Sequence, residues 1–169
     1  MVVTEADPSR RIVRRINTEP AAREYARLLG KDPEQLSTFT FAANPVVVRI
    51  GGNHLVRAIQ QVNEDGELVF FSAIDEGLVL TLGDPEDIVK HTEAALSDLA
   101  KNGRPEAIIA CDCILRRLEA GQKQKTGQLS NTLSSFNVVG FSTYGEQHNA
   151  KHVNHTMTGV AIYPPAGEA

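Results

Sequence analysis

The sequence contains no tryptophan, its aromatic residues amount to 5% of 169 positions, and it has only two cysteines. Cys111 and Cys113 are separated by a single residue, which closes too small a loop for a disulfide that could staple a fold. A disulfide-stabilised scaffold is therefore excluded, and we expect both thiols to be reduced, as in cytoplasmic proteins.

Long hydrophobic runs are missing as well. No apolar stretch approaches the roughly 20 residues that a membrane-spanning helix needs. The segment from Met1 to Arg11 also lacks the apolar core of a signal peptide. The sequence therefore predicts a cytoplasmic protein that has no membrane partner.

An excess of basic residues is absent too, since the formal net charge is −4. The one basic cluster, Arg10 to Arg15, alternates arginines with β-branched residues, which is typical of a strand with solvated arginines. We therefore predict no nucleic-acid partner. What remains, with 41% hydrophobic and 22% charged residues, is the composition of one soluble globular domain.

The periodicity of the chain predicts an α+β fold in which helices pack against one mostly antiparallel β-sheet. We predict a flexible N-terminal segment at 1–11, the domain at 12–163 and a flexible tail at 164–169. A first helix begins after Thr18-Glu19-Pro20 and ends at Gly30. Short turns join the strands that follow, so these are expected to form a consecutive antiparallel meander: 46–50, 55–60, 68–73 and 78–82.

The second half of the chain mixes both periods. Asp84 is expected to cap a helix over 84–102 that lies across the meander, with Leu96 and Leu99 buried. A buried strand at 107–110 then leads into a helix from Cys113 to Gln122. A polar segment at 123–135 continues or resumes that helix, with a break at Gly127, and two strands at 137–147 and 152–163 close the domain.

The last third of the chain concentrates hydrogen-bonding side chains, which is typical of a ligand pocket. The period of two places Tyr144 and Glu146 on one face of strand 137–147, while His155 shares a face with apolar Val153 and Met157. Each residue also has a structural interpretation: Tyr144 as an amphipathic core residue, Glu146 as a charge on the rim and His155 as a satisfied core histidine.

The start of the helix at Cys113 offers a complementary feature. Backbone N–H groups at a helix N-terminus, here capped by Asp112, favour a thiolate or bind a carboxylate. Arg116, one turn later, can clamp the same carboxylate, and Arg57 can reach the pocket from its strand. The alternatives are a small buried hydrophobic residue for Cys113, a solvated helix face for Arg116 and a sheet edge for Arg57.

Six segments in order resemble the C-terminal domain of the FIST family of intracellular sensory proteins: Glu19-Pro20-Ala21 with Tyr25, Val56-Arg57, Asp75-Glu76-Gly77, Cys113 to Arg117, Gly140 to Glu146 and Asn154-His155-Thr156. The resemblance implies a cytoplasmic domain that senses a small ligand, with amino acids the suggested class. It also implies a partner: a separate FIST N-type domain, an output protein in trans, or a second copy. The predicted ligand-binding residues are Arg57, Cys113, Arg116, Tyr144, Glu146, Asn154, His155 and Thr156.

Two other function classes are compatible with the residue types. Cys113 with His155 and Glu146 provides a nucleophile, a base and an orienting group, although no nucleophile motif surrounds them. His148, His152 and His155 crowd eight residues and suggest a haem or metal sensor, although their spacing matches no closed zinc site. We therefore predict a binding domain that is not an enzyme and carries no cofactor.

Overall fold

The computed structural model describes residues 1–165, apart from the side chains of Asn53 and Asn102. The fold is α+β with predominantly antiparallel pairing, as predicted, but the strands of the described residues form four sheets and not one. The strands are β1 Val3–Asp7, β2 Ile12–Ile16, β3 Glu19–Pro20, β4 Val46–Ile50, β5 Asn53–Arg57, β6 Ile59–Val62, β7 Leu68–Phe70, β8 Leu80–Leu82, β9 Ala107–Cys113, β10 Val138–Thr143, β11 Glu146–His148, β12 Lys151–Val153 and β13 Met157–Ile162. The helices are α1 Ala21–Leu28, α2 Thr38–Ala43, α3 Ile88–Leu99, α4 Ile114–Gln122 and α5 Thr126–Ser135.

The N-terminal residues belong to the first sheet, whose order is β1-β2-β7-β6. The segment 1–11 was expected to be flexible, but β1 pairs antiparallel with β2, and Val3 is buried in the main hydrophobic core. Burial of Val3 with Val13 and Ile16 supplies the apolar contacts that hold this strand in place. Of the predicted tail, 166–169 lie outside the described residues.

The predicted meander is wrong in its order, although its pairings are antiparallel. The segment predicted as strand 55–60 is two strands, because the chain leaves one sheet at Arg57 and enters another at Ile59. β5 and β8 flank β4 in one sheet, whereas β6 pairs with β7 in the first sheet. The buried Ala58 marks the crossing point between the two sheets.

Helix α3 differs from its prediction in its start and in its packing. The Asp87 side chain, not that of Asp84, accepts hydrogen bonds from the N–H groups of the first turn. The helix packs against α5 and does not cover the predicted meander. Leu96 is consequently buried at 2% exposure, whereas Leu99 is 44% exposed.

The third sheet has the order β10-β9-β13 and carries the candidate site at one end. β9 pairs antiparallel with β13 but parallel with β10, because α4 and α5 provide the long connection that a parallel pair requires. Gly127 lies within α5; the break between the helices falls at 123–125, where Gln124 has φ 55°. The segment predicted as strand 137–147 ends at Thr143, and β11 and β12 form a separate hairpin.

Candidate functional site

The candidate site forms where β9 ends and α4 begins. The backbone N–H of Cys113 donates to the carbonyl of Thr156 at 3.0 Å, which fixes the bend at 154–156 against the helix start. Four of the predicted site residues are thereby brought together: Cys113, Asn154, His155 and Thr156. His155 lies in this bend with φ 57° and not in a strand, so the expected face shared with Val153 and Met157 is wrong.

Glu146 lies close to this cluster, where two hydroxyl groups hold its carboxylate. Its buried carboxylate accepts hydrogen bonds from Thr143 and, at 2.8 Å, from Thr156. Tyr144 does not join it: β10 ends at Thr143, and Tyr144 is 75% exposed in the following bend. The expected convergence of phenol and carboxylate is wrong, because the period of two applies only while the strand continues.

His155 and Glu119 form a buried pair across the site. The His155 side chain is 8% exposed, and its Nε2 lies 2.8 Å from the carboxylate of Glu119. Lys123 donates to the same carboxylate at 2.6 Å. Burial raises the pKa of Glu119, but the hydrogen bonds from His155 and Lys123 outweigh it and leave the pKa lowered, so Glu119 is a carboxylate.

Arg116 forms a second, largely buried pair, with Asp112. Its Nε donates to Asp112 at 2.6 Å and its Nη2 donates to Thr92 at 2.9 Å. Asp112 was expected to cap α4, but it pairs with Arg116, and the N-cap is Cys113 without a side-chain hydrogen bond. Burial raises the pKa of Asp112, and the charge of Arg116 offsets part of that rise.

Cys113 is a buried thiol and not a thiolate. Burial raises its pKa against the opposing hydrogen bonds from the N–H groups of Leu115 and His155. Since the thiolate is the nucleophilic form, this environment disfavours the cysteine-enzyme interpretation. The residue packs with Leu115, Ala42 and Ala58 in a small hydrophobic cluster.

A cleft with a volume of about 710 Å³ opens above the two ionic pairs. Its floor includes Arg116, Glu119 and His155. Its walls come from β5 and the residue before β4, from the loop that leads into α3 and from the first turn of α3 itself: Pro45, His54, Val56, Asp84, Pro85, Glu86, Ile88 and His91. Two polar groups of opposite charge and an imidazole therefore face a space large enough for a small metabolite.

The cleft contains residues that the sequence analysis did not select. Glu119 had a usable sequence signal, since it follows Arg116 by three positions and so lies on the same helix face. His54, Asp84, Glu86 and His91 had none, because separate elements carry them into the cleft.

Arg57 and Asn154 do not line the cleft. Arg57 Nη1 donates to the carbonyl of His152 at 3.4 Å, and its Nε is buried without a partner among residues 1–165. Asn154 is fully buried, and neither atom of its amide has a partner within the same residues. A Cβ at Gly145 would clash with the ring of His152, so a larger residue there would require this exposed side chain to move.

The face of the third sheet that is turned away from α4 and α5 is apolar and exposed. Ile109, Val139, Phe141, Val160 and Ile162 are between 43% and 65% exposed. Val139 and Val160 are the direct neighbours of Ile109 on its two sides, so these side chains form one continuous row. A groove of about 680 Å³ lies between this face and the hairpin.

The metal interpretation lacks support from the geometry. Among the described residues, no three histidine, cysteine or acidic side chains come together as a set of metal ligands. His155 lies against Glu119, and His148 lies 3.0 Å from Asn149.

Comparison with known proteins identifies the family. Residues 21–149 match the FIST C domain. No curated protein and no solved structure shows a significant match. The match covers most of the chain but ends before the bend at 154–156 and before β13. In the part of the chain that the structure describes, no helix has both the length and the apolar character needed to span a bilayer.

Proposed function

The chain belongs to the FIST C domain family of sensory signal-transduction domains, and we propose that it binds an amino acid or a similar small metabolite in the cleft above Arg116, Glu119 and His155. The observation that carries this proposal is the pair of opposite charges on the cleft floor. An amino acid presents a carboxylate and an ammonium group, which such a pair can bind at the same time.

Both charged groups retain hydrogen-bonding capacity. A guanidinium has five N–H donors, and Arg116 uses Nε and Nη2. A carboxylate accepts about four hydrogen bonds, and Glu119 accepts from His155 and Lys123. The ligand carboxylate is therefore assigned to Arg116 and the ligand ammonium to Glu119. This replaces the expected role of Glu146, which is not among the residues that line the cleft.

Isothermal titration calorimetry against the twenty amino acids tests this assignment. Glu119→Gln should weaken binding by roughly ten- to a hundredfold, which corresponds to about 1.5–3 kcal/mol for a charged hydrogen bond. Tyr144→Phe is the matched control, because Tyr144 is exposed outside the cleft and should bind like wild type. Absence of binding by every amino acid, or unchanged affinity of a folded Glu119→Gln variant, would refute the proposal.

A sensory domain must also pass its signal on through a protein contact, and the exposed face of the third sheet supports that step. Its apolar side chains carry no charge, so two copies can oppose this face without like-charge contacts despite the net charge of −4. Specific, stable protein interfaces bury about 800 Å² per partner, and in homodimers about 65% of that area is apolar. The face supplies such an apolar centre, and the β11–β12 hairpin beside it supplies a polar rim. We therefore propose a second copy of this chain as its partner.

Sedimentation equilibrium tests whether the partner is a second copy of this chain. Wild type should dimerise, and Phe141→Asp should be monomeric. Phe39→Asp should still dimerise, because Phe39 is similarly exposed but lies on α2, away from the third sheet. A monomeric wild type would overturn self-association and direct attention to a FIST N-type domain or an output protein in trans.

A further inference from the structure

The charges on the cleft floor have partners of opposite charge, whereas those on the rim do not. This difference affects which ligand fits. On the floor, Arg116 is matched by Asp112, and Glu119 is matched by Lys123. At the rim, Asp84 and Glu86 are exposed and face the cleft. Neither forms an ion pair within residues 1–165. The rim therefore contributes two carboxylates that have no ion-pair partner among the described residues.

A second observation, independent of the acidic rim, also indicates a ligand. His155 lines the cleft floor, and more than nine-tenths of its side chain is buried. Its Nε2 pairs with Glu119, but its buried Nδ1 has no hydrogen-bond partner among the described residues. Buried polar atoms are nearly always hydrogen-bonded in folded proteins, so this nitrogen is suited to a polar group supplied by a ligand.

We propose that the cleft selects amino acids whose side chain carries a positive charge. This inference rests on the proposed function. The floor, through Arg116 and Glu119, binds the carboxylate and ammonium groups that all amino acids share. The rim, through Asp84 and Glu86, attracts a side-chain ammonium or guanidinium and disfavours an acidic side chain.

The chain contains a matched control for the rim. The tripeptide Asp-Pro-Glu occurs twice, as Asp84-Pro85-Glu86 at the cleft and as Asp32-Pro33-Glu34 in an exposed turn before α2. Replacing both acids by their amides changes charge equally at the two places. The Asp84→Asn/Glu86→Gln variant therefore tests the rim, and the Asp32→Asn/Glu34→Gln variant corrects for the change in net charge.

The experiment compares each basic amino acid with a neutral analogue of similar size by calorimetry. L-arginine is paired with L-citrulline, which has the same shape, and L-lysine with L-norleucine, which lacks only the terminal ammonium group. In wild type the basic ligand should bind roughly tenfold more tightly than its analogue. The preference should shrink near 1 M salt, where the Debye length falls to about 3 Å.

The rim variant should lose this preference, whereas the control variant should keep it. Equal binding of arginine and citrulline by wild type would overturn the inference but leave the proposed function standing. A preference that survives in the rim variant would also overturn it. If none of the four ligands nor any other amino acid binds, the proposed function itself fails.

Discussion

Replacement of Gly140 by alanine is the strictest test of the third sheet, because the site depends on the pairing of β9 with β10. Gly140 pairs with Ala110 in the parallel ladder. A Cβ at this position would lie 1.9 Å from the carbonyl oxygen of Ala110 and 2.8 Å from its carbonyl carbon. Real Cβ atoms essentially never approach closer than 3.0 Å, so a displacement of about 1 Å is required.

The magnitude follows from which atoms obstruct the new methyl group. They belong to the main chain of the central strand, so no side-chain rotation relieves the contact. Overpacking typically costs about 1–3 kcal/mol, and we expect the upper end of this range because two paired strands must separate. For a protein of this size, about 3 kcal/mol lowers the melting temperature by roughly 6–12 °C.

Gly121→Ala is the internal control, because it should raise the melting temperature and not lower it. Gly121 lies in α4, and a Cβ there would meet nothing within 4 Å. Alanine in a helix is more stable than glycine by about 0.5–1 kcal/mol, so this variant should melt slightly above wild type. Differential scanning calorimetry of the two variants measures both shifts. A Gly140→Ala protein as stable as wild type would refute the placement of β10 beside β9.

Three further predictions concern the core, the pH response and the thiols. Leu96→Ala should lower the free energy of unfolding in urea by about 2–5 kcal/mol and Leu99→Ala by less than about 1 kcal/mol, since only the first is buried; equal losses would contradict the orientation of α3. The hydrogen bond from Arg27 lowers the pKa of Glu24 from 4.5 to about 2, so its stabilisation is present above about pH 5 and is lost as the pH falls towards 2. Acid titrations followed by circular dichroism should show a shallower loss for Glu24→Gln, and identical profiles would contradict this. Iodoacetamide should label half-buried Cys111 before buried Cys113 in the native protein, as read by peptide mass spectrometry; the reverse order would indicate an accessible thiolate at Cys113.

Local sequence patterns predicted the strands and helices of this fold better than they predicted which strands pair with each other. The run from Val46 to Ile50 is the strand that its β-branched residues predicted, and α1 ends before Gly30 as expected. The strand order was not predictable in this way, because nothing local distinguishes one strand of six residues from two short strands that cross between sheets at Ala58. Pairing is decided by which apolar faces meet in the core, which is a long-range property.

The same distinction separates the predicted and unpredicted residues of the cleft. Arg116 and His155 were predicted from their neighbours in sequence, and both line the cleft floor. Tyr144 was misplaced because the alternation of strand faces was extended beyond the end of β10. His54 and Glu86 enter the cleft from elements far from both in sequence, so only the packing of those elements shows their role.

The central claim, that a small amino-acid ligand occupies the cleft above Arg116, Glu119 and His155, is tested most directly by mapping where the ligand binds. Two-dimensional ¹H–¹⁵N NMR spectra recorded during titration with L-arginine report every backbone amide and the Arg116 side chain. The account predicts saturable shifts concentrated at His54, at Arg116 and Glu119, at His155 and in the loop before α3. Shifts confined to the exposed face of β9, β10 and β13, or an unchanged spectrum with this and every other amino acid, would contradict it.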